Sequence, residues 1–182
     1  SVKASPPYSV FRPDNFYENL DGSSVDDQTR YRWVEYHKWK VKAEWYTPLT
    51  QSRGENPKSL VLRTSAGVGM IGQYNRRAGL SPFERFYLGG VFLSGFVLDG
   101  REILNLRGYD DLSLTAPDRN TGAPVVAKYG AELRYPLSTN PSATIYTLAF
   151  LEGGNTWEDP RAFNPFQVYR SAGVGLLSLI HI

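Results

Sequence analysis

The residues best placed to do chemistry in this chain are Glu132, Glu152 and Arg107, together with His37 and His181. A pair of carboxylates is the apparatus of general acid–base chemistry and of glycoside hydrolysis. No pocket-forming sequence accompanies Glu132 and Glu152, so a catalytic pair is not the reading taken. The two histidines are the only imidazoles and there is no cysteine, which excludes multi-histidine and thiolate metal sites and a disulfide scaffold. His37 has no serine or cysteine partner in a recognisable nucleophilic arrangement. Basic and acidic residues number 20 and 18, and no basic cluster offers a nucleic-acid surface. No catalytic residue, metal or cofactor is predicted.

Arg107 lies in an unusual stretch. Glu84 to Asp111 holds five glycines, among them the pair Gly89–Gly90, and ends in Leu106-Arg107-Gly108-Tyr109. Glycine is too frequent there for a helix, and large apolar residues too frequent for a disordered linker. The glycines have no strand–glycine–helix setting, so phosphate binding is set aside. Long loops in compact proteins are usually functional. The stretch reads as part of one long, inward-folding loop, Asn75 to about Pro124, with Arg107 as its key residue.

The elements that hold such a loop are strands. In Lys38-Trp39-Lys40-Val41-Lys42-Ala43-Glu44-Trp45, polar residues hold the even positions and apolar ones the odd positions. That is period two. A strand is expected over residues 30–49, with Lys38, Lys40, Lys42 and Glu44 on a wet inner face and Trp45 and Tyr46 suited to an aromatic girdle. His37 falls on its apolar face, at the rim. A second strand is expected over 59–74, with Leu60, Leu62, Ala66, Val68 and Met70 outward and Arg63, Ser65, Gly67 and Gly69 inward. The inward glycines would leave room for something packed inside.

Further strands are expected over 126–137, 144–157 and from 168 onward, after the end of one at residues 1–11. Alternation puts Glu132 with Lys128, Gly130 and Arg134, opposite Leu133 and Tyr135. It puts Glu152 opposite Ile145 and Leu151. A direct cross-strand pair of the two would centre the intervening turn near Ser142. Residues 12–29, 51–58 and 138–143 read as turns or loops. No apolar run reaches the length of a transmembrane helix, as expected of a membrane barrel, whose mark is alternating segments of about ten residues. Connections alternate in length, as in outer-membrane barrels with short periplasmic turns and longer extracellular loops. The fold class is all-β: an antiparallel up-and-down meander forming part of a transmembrane outer-membrane barrel, with negligible helix.

Four motifs in order sharpen this reading: Phe86-Tyr-Leu-Gly-Gly90, Leu106-Arg-Gly-Tyr109, Glu132-Leu-Arg-Tyr-Pro136 and Phe150-Leu-Glu-Gly-Gly-Asn-Thr-Trp157. A fifth, Arg170-Ser-Ala-Gly-Val-Gly-Leu176, opens the strand after them. Together they resemble the C-terminal barrel of the outer-membrane protein assembly factors (the BamA, or bacterial surface antigen, family), most of all the form found in Bacteroidota. The resemblance covers residues 1–176. It sets 177–182, Leu-Ser-Leu-Ile-His-Ile, apart as a foreign tail, where the family continues with an arginine and two more strands. It implies that earlier barrel strands and periplasmic repeats belong to the parent protein.

The resemblance further implies that the long loop folds back into the barrel. Its tip, Leu106, Arg107, Gly108 and Tyr109, would lock onto the inner wall, with Arg107 meeting Glu132 and Glu152. The family often has aspartate at the second of these acids. An arginine partner would hold both carboxylates ionised, a further reason against a catalytic pair, and arginine suits the role because its fork can take two carboxylates. The implied function is non-enzymatic: the parent protein folds and inserts other β-barrels into the bacterial outer membrane. Its seam would accept unfolded barrel substrates by edge pairing. Implied partners are outer-membrane lipid, those substrates, and accessory assembly proteins reached through the periplasmic repeats. The alternative is a secretion transporter of the same superfamily that passes a partner through its lumen. A passive porin is disfavoured by the plug-like loop.

Overall fold

In the computed structural model, residues 1–8, 33–50, 58–74, 79–90, 101–140 and 143–180 are described. The loop expected at 12–29, residues 51–57 of the expected turn, and residues 75–78 and 91–100 of the long loop lie outside them. Six strands form one antiparallel sheet: β1 (Val2–Ala4), β2 (His37–Pro48), β3 (Val61–Gly72), β6 (Val125–Asn140), β7 (Ala143–Trp157) and β8 (Tyr169–Ile180), in that spatial order. Each pairs with its neighbour, so this is a meander, and no α-helix occurs among the described residues. Within those residues β1 and β8 are open edges, so the sheet is an open wall and not a closed barrel. β8 runs through Leu176 and Leu177 in register with β7.

Alternation sets the two faces. Trp39 pairs with Met70, Val41 with Val68, and Leu62 with Leu133, so one row of apolar side chains crosses the wall. Most of this face is bare: Trp39, Val41, Trp45, Val68, Leu133 and Tyr135 are all exposed. Leu60 and Leu62 are half-buried. No second sheet covers the face among the described residues. An apolar face of this extent suits lipid.

Some boundaries differ from expectation. β2 spans 12 residues, starting at His37 and not near 30, because residues 33–36 do not join the ladder. The turn between β6 and β7 is tighter than expected, with Asn140 opposite Ala143. A register shift between Pro136 and Ser138 accompanies it. Proline cannot donate to a ladder, and bulges are where sheets accommodate it. Glu132 therefore faces Phe150, and Glu152 faces Gly130. The two acids are diagonal neighbours on one face instead of a direct pair.

The long loop has its own structure. Phe86–Gly89 (β4) and Glu102–Asn105 (β5) form a two-stranded parallel sheet lying on the inner face of the wall. Phe86, Leu88 and Leu106 of the loop bury against Val126 of β6, with Leu104, Tyr109 and Leu114 packed around them. This is the core of the molecule, and it lies between wall and loop. Gly69 makes it possible: a Cβ there would lie 2.6 Å from the Phe86 ring, so only glycine lets the ring sit on the wall. A second, smaller cluster sits on the outer face at the same end, where Trp157 packs with Val125, Ala127 and Phe163.

Candidate functional site

The loop leaves the wall at the end of β3 and rejoins it at the start of β6, both at one end of the sheet. Its tip reaches Glu152, five residues before the end of β7 at Trp157. At about 3.3 Å per residue that is roughly 17 Å down the strand. Hydrogen bonds secure the descent. Phe86 and Ala123 exchange backbone bonds of 2.9 and 2.8 Å, and the Leu88 N–H donates to Thr115 Oγ1 at 3.0 Å. Thr156 of β7 donates to the Leu114 carbonyl at 2.7 Å and accepts from the Ala116 N–H at 2.9 Å.

At the tip, Leu106 is fully buried and its N–H donates to the Gly89 carbonyl at 2.7 Å. Gly108 has φ +85°, the left-handed region where a side chain is disfavoured, and this turns the chain at the wall. Tyr109 donates its hydroxyl to the Arg170 carbonyl at 2.7 Å and meets the Tyr169 ring edge-on.

Arg107 occupies the point between these contacts. Its Nη2 donates to Glu132 Oε1 at 2.5 Å and to Glu152 Oε1 at 2.7 Å. Its backbone N–H donates to the other Glu152 oxygen at 3.1 Å. A single arm of the guanidinium thus bridges both acids. The other face of the guanidinium is stacked: its Cζ lies 3.7 Å from the centre of the Phe150 ring. The carboxylates are nearly dry, with side chains 8% and 7% exposed, while Arg107 keeps 31%. Isolated charges that dry are costly, so pairing is required.

The structure brings Leu106, Arg107, Gly108, Tyr109, Glu132 and Glu152 together at one place on the inner face. It also adds residues that sequence reasoning missed. Glu132 is held by Arg63 of β3 at 3.2 Å and by Arg134 two residues along its own strand. Glu152 is held by Lys128 at 3.2 Å, and Lys128 also donates to the Asn105 carbonyl of the loop. Arg63 reaches on to Glu44 of β2 at 2.6 Å. Parity was the available signal: Arg63, Lys128, Arg134 and Phe150 all share the inward face with the two acids. What parity did not reveal is that they touch.

Another inward residue departs from expectation. Lys38 does not lie on a wet face but is 0% exposed beneath the loop. Lys40, Lys42 and Glu44 remain on the more open part of that face. A cavity of about 590 Å³ lies between the loop and strands β2, β3 and β6. The charged side chains that line it are in ion pairs, Lys40 with Glu102, Lys42 and Arg63 with Glu44, and Lys128 with Glu152. His37 lies on the outer face as expected, accepting a bond from Trp39 Nε1 at 3.0 Å. Among the described residues no cluster of acids, histidines and cysteines has the geometry of a metal site.

The profile of the Omp85 superfamily domain matches residues 23–179. The chain belongs to the Omp85 superfamily. No curated protein matches it significantly. Omp85 proteins sit in the outer membrane, where they meet lipid and substrate proteins and act as non-enzymatic transporters or assembly factors. Membership and the all-β meander with a bare apolar face together point to the bacterial outer membrane.

Proposed function

We propose that this Omp85 chain is barrel wall and inner loop of a BamA-like assembly factor of the Bacteroidota form, which folds and inserts β-barrel proteins into the outer membrane. The observation that carries the reading is the Arg107 anchor: a loop tip held on the inner wall by two nearly dry carboxylates and an aromatic ring. Such a tip occupies the lumen and ties β6 and β7 to the loop. A barrel so filled suits work at its seam, by edge pairing with substrate strands, better than an open passage. Accessory assembly proteins would act through periplasmic repeats of the parent protein. A secretion transporter of the same superfamily is the competing assignment, and it predicts a different cargo path.

The test uses the full-length protein in proteoliposomes. An unfolded barrel substrate is added outside and its membrane insertion is followed by protease protection. Insertion that falls at least about tenfold with Arg107→Ala, a factor worth about 1.4 kcal/mol, supports assembly. Passage of a soluble partner into the vesicle lumen without insertion of barrel substrates assigns secretion instead.

A further inference from the structure

The loop is held at a second place, at its base, by a lysine that the tip anchor does not use. Lys38 of β2 is 0% exposed, although lysine is rarely buried without partners. Its ammonium has three protons to give. The Glu84 carbonyl lies at 2.7 Å, the Glu84 carboxylate at 3.0 Å and the Glu102 carboxylate at 2.6 Å. The Phe86 ring lies beneath it, 4.5 Å from Nζ to the ring centre. Every partner is on the loop: Glu84 two residues before β4, Phe86 at its start, Glu102 at the start of β5.

The surroundings are built for this contact. Glu84 has φ +64°, a left-handed conformation that a glutamate adopts only when its surroundings impose it. In that conformation both its carbonyl and its carboxylate meet Lys38. Lys3 of β1 takes the other Glu84 oxygen at 3.2 Å, and Lys40 takes the other Glu102 oxygen at 2.9 Å. The row Lys3, Glu84, Lys38, Glu102, Lys40 alternates in charge, so each acid lies between two cations. A parallel two-stranded sheet has little stability of its own. Here both of its strands start on one buried ammonium.

We propose that Lys38 is the positioning residue of a base latch, which fixes β4 and β5 to β1 and β2 independently of the Arg107 tip on β6 and β7. The two fastenings lie on opposite halves of the wall, so the loop braces β2 against β7 across the lumen. Releasing the base latch loosens β4 and β5 at their starts, while Phe86 and Leu88 keep their packing on Val126 and Arg107 stays seated on Glu132 and Glu152. This inference rests on the loop lying against the inner face and not on the assembly role.

The test is hydrogen exchange, read by mass spectrometry on the full-length protein in lipid nanodiscs. In Lys38→Met, which keeps the bulk and removes the charge, amides of 86–89 and 102–105 should exchange about tenfold faster or more. Amides of 107–109 and of β6 and β7 should stay within about twofold of the parent, while Leu106, whose N–H is bonded to the Gly89 carbonyl, should follow β4. Lys40→Met, a neighbour with one partner on the loop, should change β4 and β5 by less than about threefold. Unchanged exchange of β4 and β5 in Lys38→Met would overturn the proposal. So would an equal rise at the tip and in β6 and β7, since Lys38 would then support the barrel as a whole. If Lys38→Met yields no folded barrel, Glu102→Gln is read on the same amides with the same two outcomes. A substrate-insertion defect confined to Arg107→Ala would leave the base latch standing, and normal insertion in that variant would not affect it.

Discussion

Arg107 sits over Phe150, its Cζ 3.7 Å from the ring centre, while one of its nitrogens holds Glu132 and Glu152. The ring in turn rests across Gly173 of β8. A cation on an aromatic face contributes about 0.5–1 kcal/mol when exposed and about 2 when desolvated. With Arg107 partly open to solvent, Phe150→Leu should loosen the tip by about 1 kcal/mol, read as faster exchange at 107–109 with β4 and β5 unchanged. Exchange equal to the parent would assign the stack no part in holding the loop.

Arginine and lysine part company here for a specific reason. One nitrogen bridges both acids, and a lysine ammonium could reproduce that bridge, but it has no planar group to set over the Phe150 ring. Arg107→Lys should therefore keep most of the tip protection that Arg107→Ala loses. Removing one partner of a fully desolvated pair costs about 3–5 kcal/mol, and less here because Arg107 keeps part of its hydration. Tryptic nicking of the loop in the folded full-length protein orders the three forms: parent slowest, lysine next, alanine fastest. A lysine variant as labile as alanine would place the anchor in the stack instead of the ion pairs.

The two acids are not equivalent. Glu132 faces Arg63, Arg107 and Arg134, whereas Glu152 faces Lys128 and Arg107 and also accepts the Arg107 backbone N–H. Glu132→Gln leaves three guanidinium groups around a neutral amide. It should lower the thermal midpoint of the detergent-solubilised barrel more than Glu152→Gln does. Glu152→Gln should instead weaken the tip selectively, because its lost charge supported both side chain and backbone of Arg107. The two readouts, global melting and local nicking, should rank the variants in opposite orders.

The alternation of Lys38 to Trp45 made β2 and its outward row legible, and the motif order made the meeting of Arg107 with Glu132 and Glu152 legible. β4 and β5 were not. All four residues of β4 are buried, so no polar–apolar alternation marks it, and its partner, 13 residues or more further along the chain, pairs with it in parallel. Parallel pairing leaves no hairpin signal. Lys38 was misread for a related reason. Parity gives the face a residue is on, but what covers that face is decided by the loop, whose path the local pattern does not encode. The diagonal offset of Glu132 and Glu152 follows from two shifts of one residue each, the Asn140–Ala143 pairing at the turn and the bulge after Pro136, a cue present in the sequence but ambiguous in which direction it shifts the register.

Charge placed on the outer row should report contact with lipid. Val41 is 70% exposed, near the middle of β2, and pairs with Val68. Val41→Arg should destabilise the full-length barrel in bilayers by up to about 2–4 kcal/mol, the cost of arginine near the midplane. Lys42→Gln, on the opposite face, should be close to neutral. In plain buffer the isolated 182-residue chain should aggregate, since its described sheet has two unpaired edges and an exposed apolar face. A monodisperse, cooperatively melting monomer without detergent would contradict both statements.

The base of the loop should be released by acid. Burial alone would raise the carboxyls of Glu84 and Glu102, but the hydrogen bonds and charges of Lys38 outweigh it, helped by Lys3 at Glu84 and Lys40 at Glu102. Both are held below the ordinary glutamate range. A carboxyl with a depressed folded value binds its proton less readily folded than unfolded, so it contributes stability above the unfolded value, about 4.3. That contribution is lost as pH falls through the lower, folded value. Protection of amides 86–89 and 102–105, corrected for the intrinsic pH dependence of exchange, should thus be flat from neutral pH to about 5 and fall below it. Glu102→Gln should start from lower protection at neutral pH and show a shallower fall, because one of the two titrating groups is gone. A parent that loses protection as pH rises from 5 to 8 would reverse the sign and remove the carboxylates from the account.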